Sequence, residues 1–286
     1  MKRALDALKR ERLLAMVGVL SIAMGIFCLI YGLLLENKIG QEGDLFKAVS
    51  FDLALGIFIL TIALIVPYAK IGNVGIYIFR RLLFLLALYS LLLETIQHFR
   101  GFDPRFTQVG SDTDKLLGTI FAFVAVTLVL VFIFLFIRVL LVRTVIEQEK
   151  NIVLAIKYGL FTTLISFAAG IWISVLQSRY TGDSGNIIWV HGLGFHGVQS
   201  IPLVALLVNA SLRKNLSWVI HLSGIVYTLL VVVVGMQAYE GLSLFKPSLY
   251  LFLAVLFSFV YCGLFIYVGI LSLQVRKNTN SVRLSL

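Results

Sequence analysis

Charge is what this chain has least of. Only 13% of its 286 residues are Asp, Glu, Lys or Arg, about half the share of a soluble domain, and mean hydropathy is +1.00. This excludes an ordinary water-soluble globular domain and points to a polytopic membrane protein whose first partner is a lipid bilayer. Cysteine is almost missing. Cys28 and Cys262 stand alone in apolar runs near opposite ends, which excludes a disulfide framework and a CxxC redox motif. Acidic residues are outnumbered 14 to 24, for a net charge of +10. The cations fall in short clusters between apolar runs, so they read as topology signals rather than a nucleic-acid surface.

What is present is eight apolar runs of about 20 residues or more, the length a spanning helix needs. They lie near 13–35, 48–68, 81–99, 116–142, 153–177, 187–211, 217–239 and 248–274. The connections are too short for a folded domain and no strand is expected. The predicted fold is therefore all-α, an integral membrane bundle forming one multi-pass domain over 1–286. The basic start "MKRALDALKRER" precedes an apolar run with no small-x-small cleavage site, which predicts a retained first span. Placing the N-terminus inside puts 17 of the 24 Lys and Arg on the inner side: Lys2 to Arg12, Lys70 to Arg81, Arg138 to Lys157, Arg213 and Lys214, and Arg276 to Arg283. Seven fall outside: Lys38, Lys47, Arg100, Arg105, Lys115, Arg179 and Lys246. The positive-inside rule then predicts both termini cytoplasmic.

A 4+4 parallel repeat, with halves 1–145 and 146–286, is suggested by two matches. "GDLFKAVSFD" (43–52) and "GDSGNIIWVH" (182–191) share Gly-Asp and align Asp52 with His191. "QHFRG" (97–101) and "QAYEG" (237–241) share Gln, an aromatic and Gly.

Ionisable groups within spans are expensive and mark candidate sites. They are Asp52, Glu94, His98, His191, His196 and His221, and all but His221 fall in the outer half. Glu94 and His98 share a helix face, with Gln97 and Arg100 close by. His196, Gln199 and Ser200 share another, while His191 is turned about 140° from His196. "GLGFHG" fits G-x-G-x-x-G but follows no strand, so its glycines are expected to serve close helix packing. Arg100 and Arg105 are expected to snorkel to headgroups, His221 to be interfacial, and Pro202 to kink its span.

Two segments resemble a bacterial family of uncharacterised polytopic membrane proteins. "IQHFRGFDPRF" (96–106) is similar to its I-Q-x-x-R-G-x-x-x-[HR]-F segment. "HGLGFHGVQSIP" (191–202) is similar to its H-x-x-G-x-H-x-x-Q-x-x-P helix. The resemblance implies that Gln97, Arg100, Phe106, His191, Gly194, His196, Gln199 and Pro202 carry the motif, and implies a bacterial cytoplasmic membrane. It brings no activity with it. Gly182 and Asp183 stand further from His191 than the pattern expects, and His98 falls on an unspecified position.

These residues suggest an outward-facing polar pocket of His191, His196, Gln199, Gln97, Arg100, Glu94, Asp52 and His98. Three chemistries could use it. The first is a haem or divalent-metal site ligated by His191, His196 or His98, with a redox partner or small molecule on the outer side. The eight-span plan resembles that of haem A synthase, whose Glu-His-Arg motif is similar to "ETIQHFR" (94–100), although here that motif ends a span and paired loop cysteines are missing. The second is binding or transport of a small anion or polar solute, with Arg100 as the charge. The third is a metal-dependent intramembrane hydrolase or a non-catalytic accessory protein. No H-E-x-x-H or H-x-x-x-H spacing supports the hydrolase.

Overall fold

Apolar runs in a hydrocarbon solvent must pair their own backbone N–H and C=O groups, and the helix is how a single segment does so. The computed structural model describes residues 2–212 and 215–284, and eight of its helices are long and apolar enough to cross a membrane. Arg213 and Lys214 lie outside the described residues, as do the side chains of Lys2, Arg3, Arg276, Lys277 and Arg283.

The chain divides into two compact units, Met1–Arg138 and Val139–Leu286. The first runs α1 (Lys2–Arg10), α2 (Arg12–Leu34), β1 (Lys38–Ile39), β2 (Gly43–Asp44), α3 (Leu45–Ile65), a 3-10 turn Val66–Ala69, α4 (Asn73–Phe99) and α5 (Asp112–Leu140). The second runs α6 (Glu147–Leu176), β3 (Tyr180–Thr181), β4 (Gly185–Asn186), α7 (Ile188–Ala210), α8 (Ser217–Tyr239) and α9 (Leu249–Leu284). The expected spans all recur, with shifted ends. α4 starts at Asn73 rather than 81 because Arg80, which looks like a boundary, is neutralised inside the helix by Glu11 at 2.5 Å. The strands correct the expectation of none. Each hairpin has only two residues per strand, too few for an alternating pattern to register.

Both hairpins are docked in the same way. Gly40 (φ +60) lies against Gly101 (φ +85), so close that a Cβ on Gly40 would sit 3.0 Å from the Gly101 Cα. Gly182 (φ +49) meets Gly241 (φ +69), where the corresponding distance is 2.8 Å. Glu42 N–H donates to the Gly101 carbonyl and Ser184 N–H to that of Gly241, each at 3.1 Å. Phe102 N–H donates to Gln97 O, and Leu242 N–H to Gln237 O. These bonds match Gly40 and Gly43 with Gly182 and Gly185, so the Gly-Asp alignment read from sequence is displaced by about one turn. Counted from its hairpin, Asp52 stands level with Gly194 rather than His191. The Gln97–Gln237 match agrees with the hydrogen bonds.

Within each unit, the helices flanking the hairpin pack closest. In the first, Gly18, Gly25 and Gly56 set the crossing of α2 and α3. In the second, Gly194 and Gly197 of "GLGFHG" lie against Thr162 and Ser166 of α6, whereas Gly192 faces open space. Two of the three glycines thus serve helix approach. α7 continues through Pro202, whose missing N–H leaves one carbonyl of the preceding turn without its helical donor.

Gly101→Ala adds a Cβ in a left-handed conformation with backbone beside it, and should cost about 1–3 kcal/mol. Thermal unfolding against Gly72→Ala, where nothing lies within 4 Å, checks this. Equal shifts for the two variants would mean that the backbone approach does not hold the hairpin.

Candidate functional site

The hairpin end of the first unit gathers three of the expected residues. Asp52 on α3, with Glu94 and His98 on α4, are each 0% exposed. Thr95 donates its hydroxyl to Asp52 Oδ2 at 2.9 Å, and Asp52 and Glu94 are close enough for their charges to interact. Arg105, from the loop after α4, donates to Glu94 Oε1 at 2.7 Å. Its guanidinium also lies over the rings of Phe51 and Phe121, and its side chain stays 35% exposed. The Asp44 N–H donates to His98 Nδ1 at 3.2 Å. Because Nδ1 accepts, the imidazole is neutral and its proton sits on Nε2. That nitrogen is 3.4 Å from Glu94 Oε1, without hydrogen-bond geometry. Asp52 Oδ1, Glu94 Oε2 and His98 Nε2 are all buried without a hydrogen-bond partner.

Gln97 and Arg100 face a different task. Asp114 Oδ1 accepts from Gln97 Nε2 at 3.0 Å and from Arg100 at 2.5 Å, while Ser111 donates to Asp114 Oδ2 at 2.6 Å. This closes the loop between α4 and α5. Gln237 does the same for the loop between α8 and α9, donating to Ser243 O at 2.6 Å and accepting from Ser248 at 2.6 Å. Gln97 is therefore a loop staple with a twin. Arg100 and Arg105, expected to snorkel, each pair at short range with a buried carboxylate, Asp114 and Glu94. Sequence reasoning missed Arg105, Asp114, Thr95 and Asp44 as partners. "FDPRF" carried a usable signal, because an Asp before Pro favours a turn in which its carboxylate collects the following amides.

In the second unit, His191 and His196 have separate neighbours, as their angular offset predicts. His191 Nδ1 lies 2.8 Å from the Ser166 carbonyl, so Nδ1 donates. Its ring stands edge-on to Phe195 in space left by Gly170, where a Cβ would come within 2.9 Å of the imidazole. Ser166 donates its hydroxyl back to the His191 carbonyl. His196 is exposed, with Nδ1 2.8 Å from Gln199 Oε1. Ser200, expected beside them, instead bonds Tyr261 of α9. His221 bonds Tyr158 at 3.1 Å. Among the described residues, no three His, Cys, Asp or Glu side chains gather at metal-holding distances.

No protein-family model matches the chain, and neither curated proteins nor solved structures give a match. The two units therefore serve as each other's reference. Where the first has Glu94 and His98, the register of the Gln staples places Val234 and Ala238 in the second. Hairpin docking in the second unit thus proceeds without a buried acid and imidazole at those positions.

The loop after α4 is further held by two exposed-side carboxylates. Burial works to raise Asp103, but the amides of Arg105 and Phe106 and the charges of Arg105 and Lys47 outweigh it and hold it below its ordinary 3.8. Glu42 is likewise below 4.5: burial is outweighed by the Thr107 hydroxyl and the amides of Gln108, Asp103 and Val109. A carboxyl depressed on folding stabilises fully above its unfolded value, and the contribution is lost as pH falls through its folded value. Protection of the Arg105 and Phe106 amides, measured by hydrogen exchange, should hold at neutral pH and fall below about pH 4. Asp103→Asn should flatten that dependence. Arg105→Met strands a buried Glu94 and should cost about 3–5 kcal/mol, more than the Arg105→Met, Glu94→Met double change. Thermal melts of Arg105→Met, Glu94→Met and the double variant test this; a double variant losing the sum of the two single losses would mean the side chains act independently.

Proposed function

We propose that this multi-pass membrane protein belongs to the binding or transport class and takes up a proton or a small cation at the carboxylates of Asp52 and Glu94, beside His98. Its charge balance carries the reading. Of two fully buried carboxylates only Glu94 has a guanidinium, that of Arg105, and the buried imidazole is neutral, so the cluster is one positive charge short. An uncompensated carboxylate in such surroundings is very costly, and a proton or cation at the orphaned Asp52 Oδ1 or Glu94 Oε2 supplies what is missing. The second unit supports this by building the same scaffold with apolar residues at two of these positions. The pairing of Arg100 and Arg105 with carboxylates weighs against an anion as the solute. The reading places the hairpin ends outside and the termini in the cytoplasm, on the charge asymmetry, and treats the two units as repeats of one fold in a bacterial cytoplasmic membrane.

The test is infrared difference spectroscopy of the reconstituted protein, perfused alternately with mildly acidic and mildly alkaline buffer, then with sodium or potassium at constant pH. Wild type should show a carboxyl band that responds to one of these changes, and Asp52→Asn should remove it. A spectrum indifferent to both perfusions would sink the reading.

One observation favours a second reading, a histidine-ligated cofactor. His191 donates Nδ1–H to a carbonyl, the arrangement that orients a ligating imidazole through its other nitrogen. It predicts a Soret band or retained metal in the purified protein that disappears in His191→Ala, His196→Ala. Colourless, metal-free wild type would exclude it.

A further inference from the structure

At the end of the first unit away from the hairpin, a recess of about 250 Å³ is lined by Arg10, Arg12, Leu13, Tyr77, Arg80 and Arg81. Four guanidinium groups converge where α1 meets α2 and α4 begins. Two are fixed in place. Arg80 donates through Nε and Nη2 to both oxygens of Glu11, at 2.6 and 2.5 Å, and that carboxylate is 2% exposed. Arg81 lies over the Tyr77 ring at 4.3 Å. Arg10 and Arg12 flank Glu11 in sequence, are exposed, and have no ion-pair partner among the described residues. Glu11 neutralises one of the four charges, so three face the recess. The contrast with the hairpin end is direct, because Lys38, Lys47, Arg100 and Arg105 there each have a carboxylate within 4.0 Å.

We propose that this recess binds a phosphate-bearing anion. Guanidinium groups match phosphate oxygens in a planar fork, and the Glu11 and Tyr77 contacts orient two of them before any ligand arrives. The aromatic and Leu13 beside the charges suit a ligand that is polar at one end and apolar at the other, as an anionic phospholipid is. A free phosphate compound would use the same four groups.

Full-length protein in phosphatidylcholine nanodiscs, with and without phosphatidylglycerol, separates these sources. Lipid retained by the released protein is counted by native mass spectrometry, and the unfolding midpoint is recorded with and without inorganic phosphate. Wild type should retain phosphatidylglycerol in preference to phosphatidylcholine, and Arg10→Gln, Arg12→Gln should weaken that preference roughly tenfold. Arg179→Gln, Lys246→Gln, which removes the same charge elsewhere, should retain it. Stabilisation by inorganic phosphate with no lipid preference, lost in the same Arg variant, would keep the site and assign it to a soluble ligand. Should Arg10→Gln, Arg12→Gln not fold, Arg81→Gln takes its place. Absence of both effects, or an equal loss in the two charge-removal variants, would overturn the proposal.

Discussion

The constraint on which each hairpin depends is a meeting of two backbones, Gly40 with Gly101 and Gly182 with Gly241. Neither side of these contacts has room for a side chain, and each glycine is in left-handed backbone that other residues adopt at a cost. The hairpin is too short to stand alone, so its position is set by this docking. Once it is set, the Asp44 amide reaches His98, Glu42 braces the loop after α4, and that loop in turn delivers Arg105 to Glu94. The polar cluster is therefore built outward from a backbone contact.

Comparing the units separates what the scaffold needs from what has been added to it. Gln97 and Gln237 perform one task, as do the paired glycines. Glu94, His98 and Asp52 have no such counterparts, and their burial in an apolar setting costs stability rather than supplying it. Residues that one unit carries at a cost, and that the matching positions of the other lack, are where function is to be sought.

Spans, helix approach by Gly194 and Gly197, and the separation of His191 from His196 were legible because they follow from hydropathy and helical periodicity. Asp52, Glu94 and His98 were legible as costly residues, yet their association was not, since it depends on the crossing of α3 and α4. The hairpins escaped because two residues carry no period. The partner of Arg105 was not legible because an arginine near a span end looks the same whether it turns to headgroups or folds back to a buried carboxylate. Gln97 looked like a pocket residue because a staple and a ligand-binding amide share one chemistry. The recess around Arg80 and Arg81 was hidden for a related reason: a topology cluster and a binding site are both strings of cations.

The loop that Asp114 and Glu94 close over has an electrical consequence. From Arg100 to Lys115 it carries three cations, Arg100, Arg105 and Lys115, and three acids, Asp103, Asp112 and Asp114. Moving one elementary charge across a membrane held at 100 mV takes about 2.3 kcal/mol. This segment has no net charge to move. The transmembrane voltage therefore exerts no net force on its formal charge, whichever side of the membrane it occupies.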